Sequence, residues 1–244
     1  MTRVIEICAN SVESAVNAQK GGANRVELCA GIPEGGTTPS YGEILTARKL
    51  LVSTHLHVII RPRGGDFLYS PLEEEIMMHD ITMARDIGVD GVVLGCLNAD
   101  GDIDVKMMKR LLKGTSGMSV TFHRAFDLCR EPLVAMEQII DLGIDRILTS
   151  GQAANAESGI PLLRELIDRA SGRIIIMPGC GVNAGNITKI ADETGATEFH
   201  LSARSSVQSG MRYHNQNVSM GGTVHIDEYH RDVTDVEKVK AVTH

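Results

Sequence analysis

The sequence predicts an α/β fold, a single (β/α)8 TIM barrel spanning residues 1–244. Three observations predict it. One pattern, a glycine followed by a short polar turn and an apolar run, recurs in "GGANRVELCA" from Gly21, "GVDGVVLGC" from Gly88, "GIDRILTSG" from Gly143 and "GATEFHLSA" from Gly195. Four more β-branched runs, "VIEIC" (4–8), "HVIIRPR" (57–63), "MSVTFHRA" (118–125) and "RIIIMPGCG" (173–181), bring the strands to eight. Helical patterns fill nearly every gap, over a length that suits one closed barrel; an open flavodoxin-like sheet would leave strands unused.

Taken in order, the first strand runs into "VESAVNAQKGG", a helix that Ser11 can cap, and the second strand follows it. The third strand ends in Arg61-Pro62-Arg63 and a flexible Gly64-Gly65. Ser70-Pro71 then opens "LEEEIMMHDITMARDIG", whose early glutamates complement the helix dipole and which Gly88 ends. Asp104 starts "VKMMKRLLKG" after the fourth strand, and Asp127 or Glu131-Pro132 starts "LVAMEQIIDLG" after the fifth. Asn155 precedes "AESGIPLLRELIDRASG", and Asn183 precedes "AGNITKIADETG". Beyond the eighth strand a long loop at about 203–231 leads to a short C-terminal helix in "DVTDVEKVKAV"; loops of that length are functional or disordered.

Composition narrows the function. A net charge of -7, with 24 Lys and Arg scattered rather than clustered, gives no support to a nucleic-acid partner, and 3% aromatics without tryptophan leave few stacking platforms. The N-terminus enters a strand at once, and no apolar run approaches the ~18 residues of a membrane span. The expectation is a cytoplasmic protein without a membrane partner. Five cysteines at wide spacings do not make a disulfide framework, so they are expected as thiols, free to act as ligands or nucleophiles.

Strand alternation identifies the candidate site. In a barrel strand one parity faces the helices and the other faces inward, and catalytic groups gather at the C-terminal ends. With Val26 and Leu28 facing helices, the inward set is Glu6 and Cys8 from the first strand, and Arg25, Glu27 and Cys29 from the second. Ile59, Arg61 and Arg63 follow from the third, Thr121, His123 and Ala125 from the fifth, Leu148 and Ser150 from the sixth, and Glu198, His200 and Ser202 from the eighth. A Glu–Arg pair involving Glu27 could be purely structural; convergence of titratable groups from several strands at one end argues for a site instead.

Several of these blocks are familiar together. "EICANSVESAVNAQKGGANRVELCAGIPEGGTTPSYGEI", "IIRPRGGDFLYS", "VTFHRAFD", "DRILTSGQAANA", "IIIMPGCGVNAGNI" and "EFHLSAR" resemble the CutC family of copper-homeostasis proteins over Val4 to about Gly222. The resemblance implies a TIM barrel, a cytoplasmic location, a homo-oligomer (a dimer) and a Cu(I) site at Cys8 and Cys29. Soft thiolates select Cu(I), and neighbouring strands ~4.8 Å apart let two same-parity residues at matching heights approach one ion, the placement expected of Cys8 and Cys29. The spacing of the two cysteines is nothing like a Cys-x-x-Cys motif, and two small buried thiols filling a barrel mouth would give the same sequence. Cys96 has the helix-facing parity, Cys129 is placed at the start of the fifth helix and Cys180 in a loop, all three expected as inert thiols. Met77, Met78, His79 and Met83 sit at helical spacing and are expected as core.

An enzyme is the competing reading. Glu6, Glu27, His123 and His200 would then move protons in a lyase- or isomerase-type reaction on a small anionic, carbohydrate-like or phosphorylated ligand. Arg61, Ser150, Gly179, Gly181, Ser202 and Arg204 are the candidates to hold that ligand; the loops after the seventh and eighth strands are where barrels often bind phosphate. "MPGCGVN" lacks the third glycine of a dinucleotide fingerprint, so no nucleotide cofactor is expected.

Overall fold

Eight strands follow one another in chain order around the barrel, each parallel to the next. They and their helices are β1 (Val4–Ala9), α1 (Val12–Lys20), β2 (Arg25–Leu28), α2 (Tyr41–Leu50), β3 (His55–Ile59), α3 (Pro71–Ile87), β4 (Gly91–Leu94) and α4 (Val105–Leu111). There follow β5 (Ser119–Phe122), α5 (Pro132–Asp141), β6 (Arg146–Thr149), α6 (Ile160–Ala170), β7 (Ile175–Pro178), α7 (Ile187–Thr194) and β8 (Glu198–Leu201). This computed structural model describes residues 3–215, 217–220 and 227–243. The hydrogen-bonded order runs β8-β1-β2-β3-β4-β5-β6-β7, and β7 lies beside β8, so the barrel is nearly closed.

The two parities do different work. Ile5, Ile7, Val26, Leu28, Leu56, Val58, Val92, Leu94, Phe122 and Phe199 pack outward against the helices in one apolar layer. The inward parity is polar: Glu6, Arg25, Glu27, His57, Thr121, Arg146, Glu198 and His200 are all buried. Arg25 pairs with Glu6 and, at 2.6 Å, with Glu198, while Arg146 reaches Glu198 at 3.1 Å. Strands β2 and β6 are not sheet neighbours, so these arginines meet at Glu198 only through the barrel interior. Ion pairs share this interior with buried Val93, Leu148 and Met177, the last against Arg25.

Local signals explain most helix ends. Ser11 accepts from the Ser14 N–H, and Ser70 forms a reciprocal capping box with Glu73 at α3, which Gly88 closes at φ +82°. An equivalent box, Ser40 with Glu43, starts α2, the helix between β2 and β3. Glu131 and Pro132 start α5; Asp127 instead lies in a 3-10 helix, Arg124–Leu128, and Cys129 ends that turn rather than starting α5. Helix α6 starts at Ile160, after Asn155, because Pro161 fits a first turn and Asn155 is used in a turn onto Ser158. Helix α7 starts at Ile187, since Asn183 accepts from Gly185 in a loop.

The expected loop at 203–231 is bounded by structure. Strands β9 (Arg204–Gln208) and β10 (His230–Thr234) pair antiparallel before α8 (Val236–Thr243). Positions 216 and 221–226 lie outside the described residues. "RSSVQ" and "HRDVT" are largely exposed, so no hydrophobic alternation announces them. The hairpin is tied to α1: Asn17 donates to the Thr234 carbonyl at 3.0 Å and the Thr234 N–H donates to Ser14 Oγ at 3.0 Å.

Candidate functional site

The C-terminal ends of β1, β2 and β8 build one wall of the mouth. Register sets Glu6 opposite both Arg25 and His200, and Cys8 opposite Glu27. Cys29 lies one residue beyond β2, its N–H bonded to the Ala9 carbonyl at 2.9 Å. The two cysteines are therefore staggered by two residues rather than level, yet their sulfurs stand 3.9 Å apart. His200 Nδ1 meets Glu6 Oε1 at 2.7 Å, and its Nε2 lies 3.6 Å from Glu27 Oε2. Donor atoms of Cys8, Glu27 and His200 all fall within 4.8 Å of one another. Arg204, just past β8, donates from Nη2 to Cys8 Sγ at 3.4 Å.

These contacts divide the charge unequally. The Cys29 hydrogen bond, with those of His200 and Arg204 behind it, outweighs burial and holds the Cys8 thiol well below its ordinary value. Cys29 keeps its proton: its contact with Cys8, then burial, push it well above the usual range. Burial opposes a charged His200, but its contacts with Cys8 and Glu6 outweigh it, so the imidazole is held cationic. Burial likewise opposes ionisation of Glu6, and Arg25 and His200 overcome it. Glu27 has no arginine partner, and burial pushes it up to about 8. The wall thus pairs a thiolate with a cationic imidazole, and a thiol with a neutral carboxyl.

In front of this wall lies a cavity of about 290 Å³. Its other side comes from β3, β5 and β6: Ile59, Arg61, Phe67, His123, Asp127 and Leu148. Of the candidate residues, Cys8, Glu27, Cys29, Arg61, His123 and His200 line it, while Glu6 stands beneath as the partner of His200. Ser202 and Arg204 line a second cavity of about 360 Å³ beside the loop after β7 and α8. Gly179 and Gly181 line neither; a Cβ on Gly179 would meet Leu148 and His200, so this glycine lets β7 end close to the histidine.

Inward alternation does not carry to every residue past a strand end. Ser150 is fully buried and spoken for: Asp127 accepts from its N–H and its Oγ, and the hydroxyl is also 2.7 Å from the Ala153 carbonyl. The Asp127 carboxylate gathers the turn after β6, accepting from Thr149 as well as Ser150. Ala125 joins the outer apolar core once the chain turns into its 3-10 helix. Arg63 is partly exposed and paired with Glu73 and Asp66. Cys96 is buried in the core and Met77 with it, and His79 is exposed. Arg146 and His57 also face inward, two residues before Leu148 and Ile59 on their strands, so the same alternation reaches them. Phe67, in a loop, left no such signal.

The sequence profile of the CutC family matches residues 3–205. The chain belongs to the CutC family. A CutC family protein of Bacteroides fragilis is 67% identical over 237 residues, covering 97% of this chain and 94% of that protein. A Mus musculus protein named as a copper homeostasis protein cutC homolog is 50% identical over 239 residues, covering 98% and 88% of the two chains. Among solved structures, CutC from Streptococcus agalactiae superposes with a TM-score of 0.79 at 37% identity, over 82% of this chain and 98% of that one. An aldolase barrel superposes at 0.61 with 16% identity, over 78% of this chain and 82% of that one, a likeness of fold alone.

Proposed function

We propose that this CutC family member serves copper homeostasis as a cytoplasmic homo-oligomer, taking Cu(I) as cargo between Cys8 and Cys29 at the barrel mouth. The observation that carries the reading is the sulfur pair itself, 3.9 Å apart on neighbouring strands and lining a cavity. With metal–sulfur bonds of about 2.3 Å, sulfurs at that 3.9 Å separation meet an ion at a bent angle of roughly 115°, which leaves a third position open. His200 Nε2 is the donor best placed for it. Its Nδ1 already meets Glu6, the arrangement in which a carboxylate orients a ligating imidazole. Soft thiolates favour Cu(I), and binding would displace the protons now on Cys29 and His200.

Anaerobic titration of the reduced protein with Cu(I) against a chromophoric chelator tests this. One equivalent is expected to bind tightly, and Cys8→Ser/Cys29→Ser to abolish it. Glu6→Gln, which leaves both sulfurs in place, is expected to weaken binding about 10–100-fold. Binding indifferent to the two cysteines would refute the proposal.

One observation favours an enzyme as the second reading: a neutral Glu27 beside the cationic His200 and the Cys8 thiolate is a set of opposed proton donors and acceptors on a cavity wall. Under the copper reading, Glu27→Gln and His123→Asn leave Cu(I) affinity unchanged. A large loss in either would mean that these groups and the thiols act as one centre.

A further inference from the structure

The far side of the cavity has chemistry that the thiol wall does not use. Arg61 is 4% exposed, and none of the ion pairs among the described residues includes it. Among the described residues its guanidinium donates to neutral carbonyls: Nη1 to Glu34 and Gly36 at 2.8 and 2.6 Å, and Nη2 to Gly65 at 2.8 Å. Nε–H is buried without a partner. A permanently charged side chain buried without a carboxylate paired to it is costly, and a ligand that supplies the opposite charge would offset that cost.

His123 repeats the pattern. It is 4% exposed, lines the same cavity, and its Nε2 also lacks a partner. The Ala125 N–H donates to its Nδ1 at 3.2 Å, so in the neutral ring the proton sits on Nε2, a donor. Burial, and after it the charge of Arg61, keep the ring neutral by lowering His123 to about 3. Phe67 stands between the two groups, 4.9 Å beneath the guanidinium and 4.8 Å from the imidazole. Ile59 and Leu148 complete an apolar frame around them. Each unpaired buried donor is left without the hydrogen bonds it had in water, and two of them around one aromatic ring describe half of a binding site.

We infer that the β3–β5 side of this mouth is a subsite for a small organic carboxylate with an apolar body, its oxygens taken by Arg61 Nε and His123 Nε2 and its body set against Phe67, Ile59 and Leu148. The subsite is distinct from the sulfur pair: β5 stands four strands from β1 in the barrel order. It does not depend on copper. A ligand of this kind reaches from the cationic side toward Cys8 and Glu27, across a cavity of about 290 Å³, far larger than one ion requires.

The metal-free, reduced protein is titrated with benzoate, benzyl alcohol and inorganic phosphate, by calorimetry and by ¹⁵N NMR of the histidine side chains. Benzoate is expected to bind at least tenfold more tightly than either of the others, and to shift the His123 Nε2 resonance. His123→Phe, which keeps a ring beside Phe67 and removes the donor, is expected to weaken benzoate at least fivefold while leaving benzyl alcohol unaffected. Benzoate binding no tighter than the alcohol would overturn the charge recognition. Phosphate binding as well as benzoate would overturn the need for an apolar body. A His123 signal unmoved by saturating benzoate in the wild-type protein would overturn the assignment without any variant.

Discussion

At the residue scale, burial decides which groups carry charge. His57 and His123 are both lowered to about 3 by burial, whereas a histidine in the unfolded chain titrates near 6.5. Unfolding therefore takes up protons between those two values. The stability these histidines contribute is complete above pH 6.5 and is lost as pH falls toward 3. Glu27 has the opposite sign. Raised to about 8 from 4.5, it contributes stability that is complete below pH 4.5 and lost as pH rises through 8. Ring-carbon NMR shifts of His57 and His123 are expected to stay at their neutral values from about pH 8 down to 5. In urea titrations, Glu27→Gln is expected to flatten the loss of stability on the alkaline side. A histidine that titrates within that range, or a variant with the wild-type slope, would contradict the burial argument.

At the element scale, caps and close approaches fix where strands hand over to helices. The Ser70 box with Glu73 satisfies donors at the start of α3, and Ser70→Ala is expected to lower the unfolding free energy by about 1 kcal/mol. The turn after β6 is tighter. A Cβ on Gly159 would collide with the Ser150 carbonyl oxygen, a backbone atom that cannot swing away. Gly159→Ala is therefore expected to cost about 3 kcal/mol, measured by chemical denaturation. The same turn explains why Ser150 serves the loop: Gly159 packs on its backbone while Asp127 holds its N–H and hydroxyl. The hairpin of β9 and β10 shows the limit of local signals. Its pairing rests on register and on contacts to α1 from more than two hundred residues away in sequence, and no short window encodes either.

At the scale of the whole molecule, Glu198 joins β8 to both β2 and β6 through Arg25 and Arg146. Glu198→Gln keeps the shape but leaves two buried guanidinium groups short of a counter-charge, and is expected to cost about 3–5 kcal/mol in urea titrations. A cost below 1 kcal/mol would mean that Glu6 alone balances Arg25. The ion network also positions the mouth: Glu6 links Arg25 below to His200 above, so the electrostatic state of the thiol wall is tied to the barrel interior. The sequence by itself determined the number and order of the eight barrel strands, most of their helices and the inward parity that carries Glu6, Cys8, Glu27, Cys29, Arg61, His123 and His200, because two-residue alternation and helix caps are local properties of the chain. Only the tertiary structure decided that Cys8 stands opposite Glu27 rather than Cys29, that Arg25 serves Glu6 and Glu198 rather than Glu27, and that Arg61 is buried without an acidic partner. Those facts depend on the stagger between strands and on contacts across the closed barrel, where residues far apart in sequence are brought together by closure and not by any periodicity of the chain.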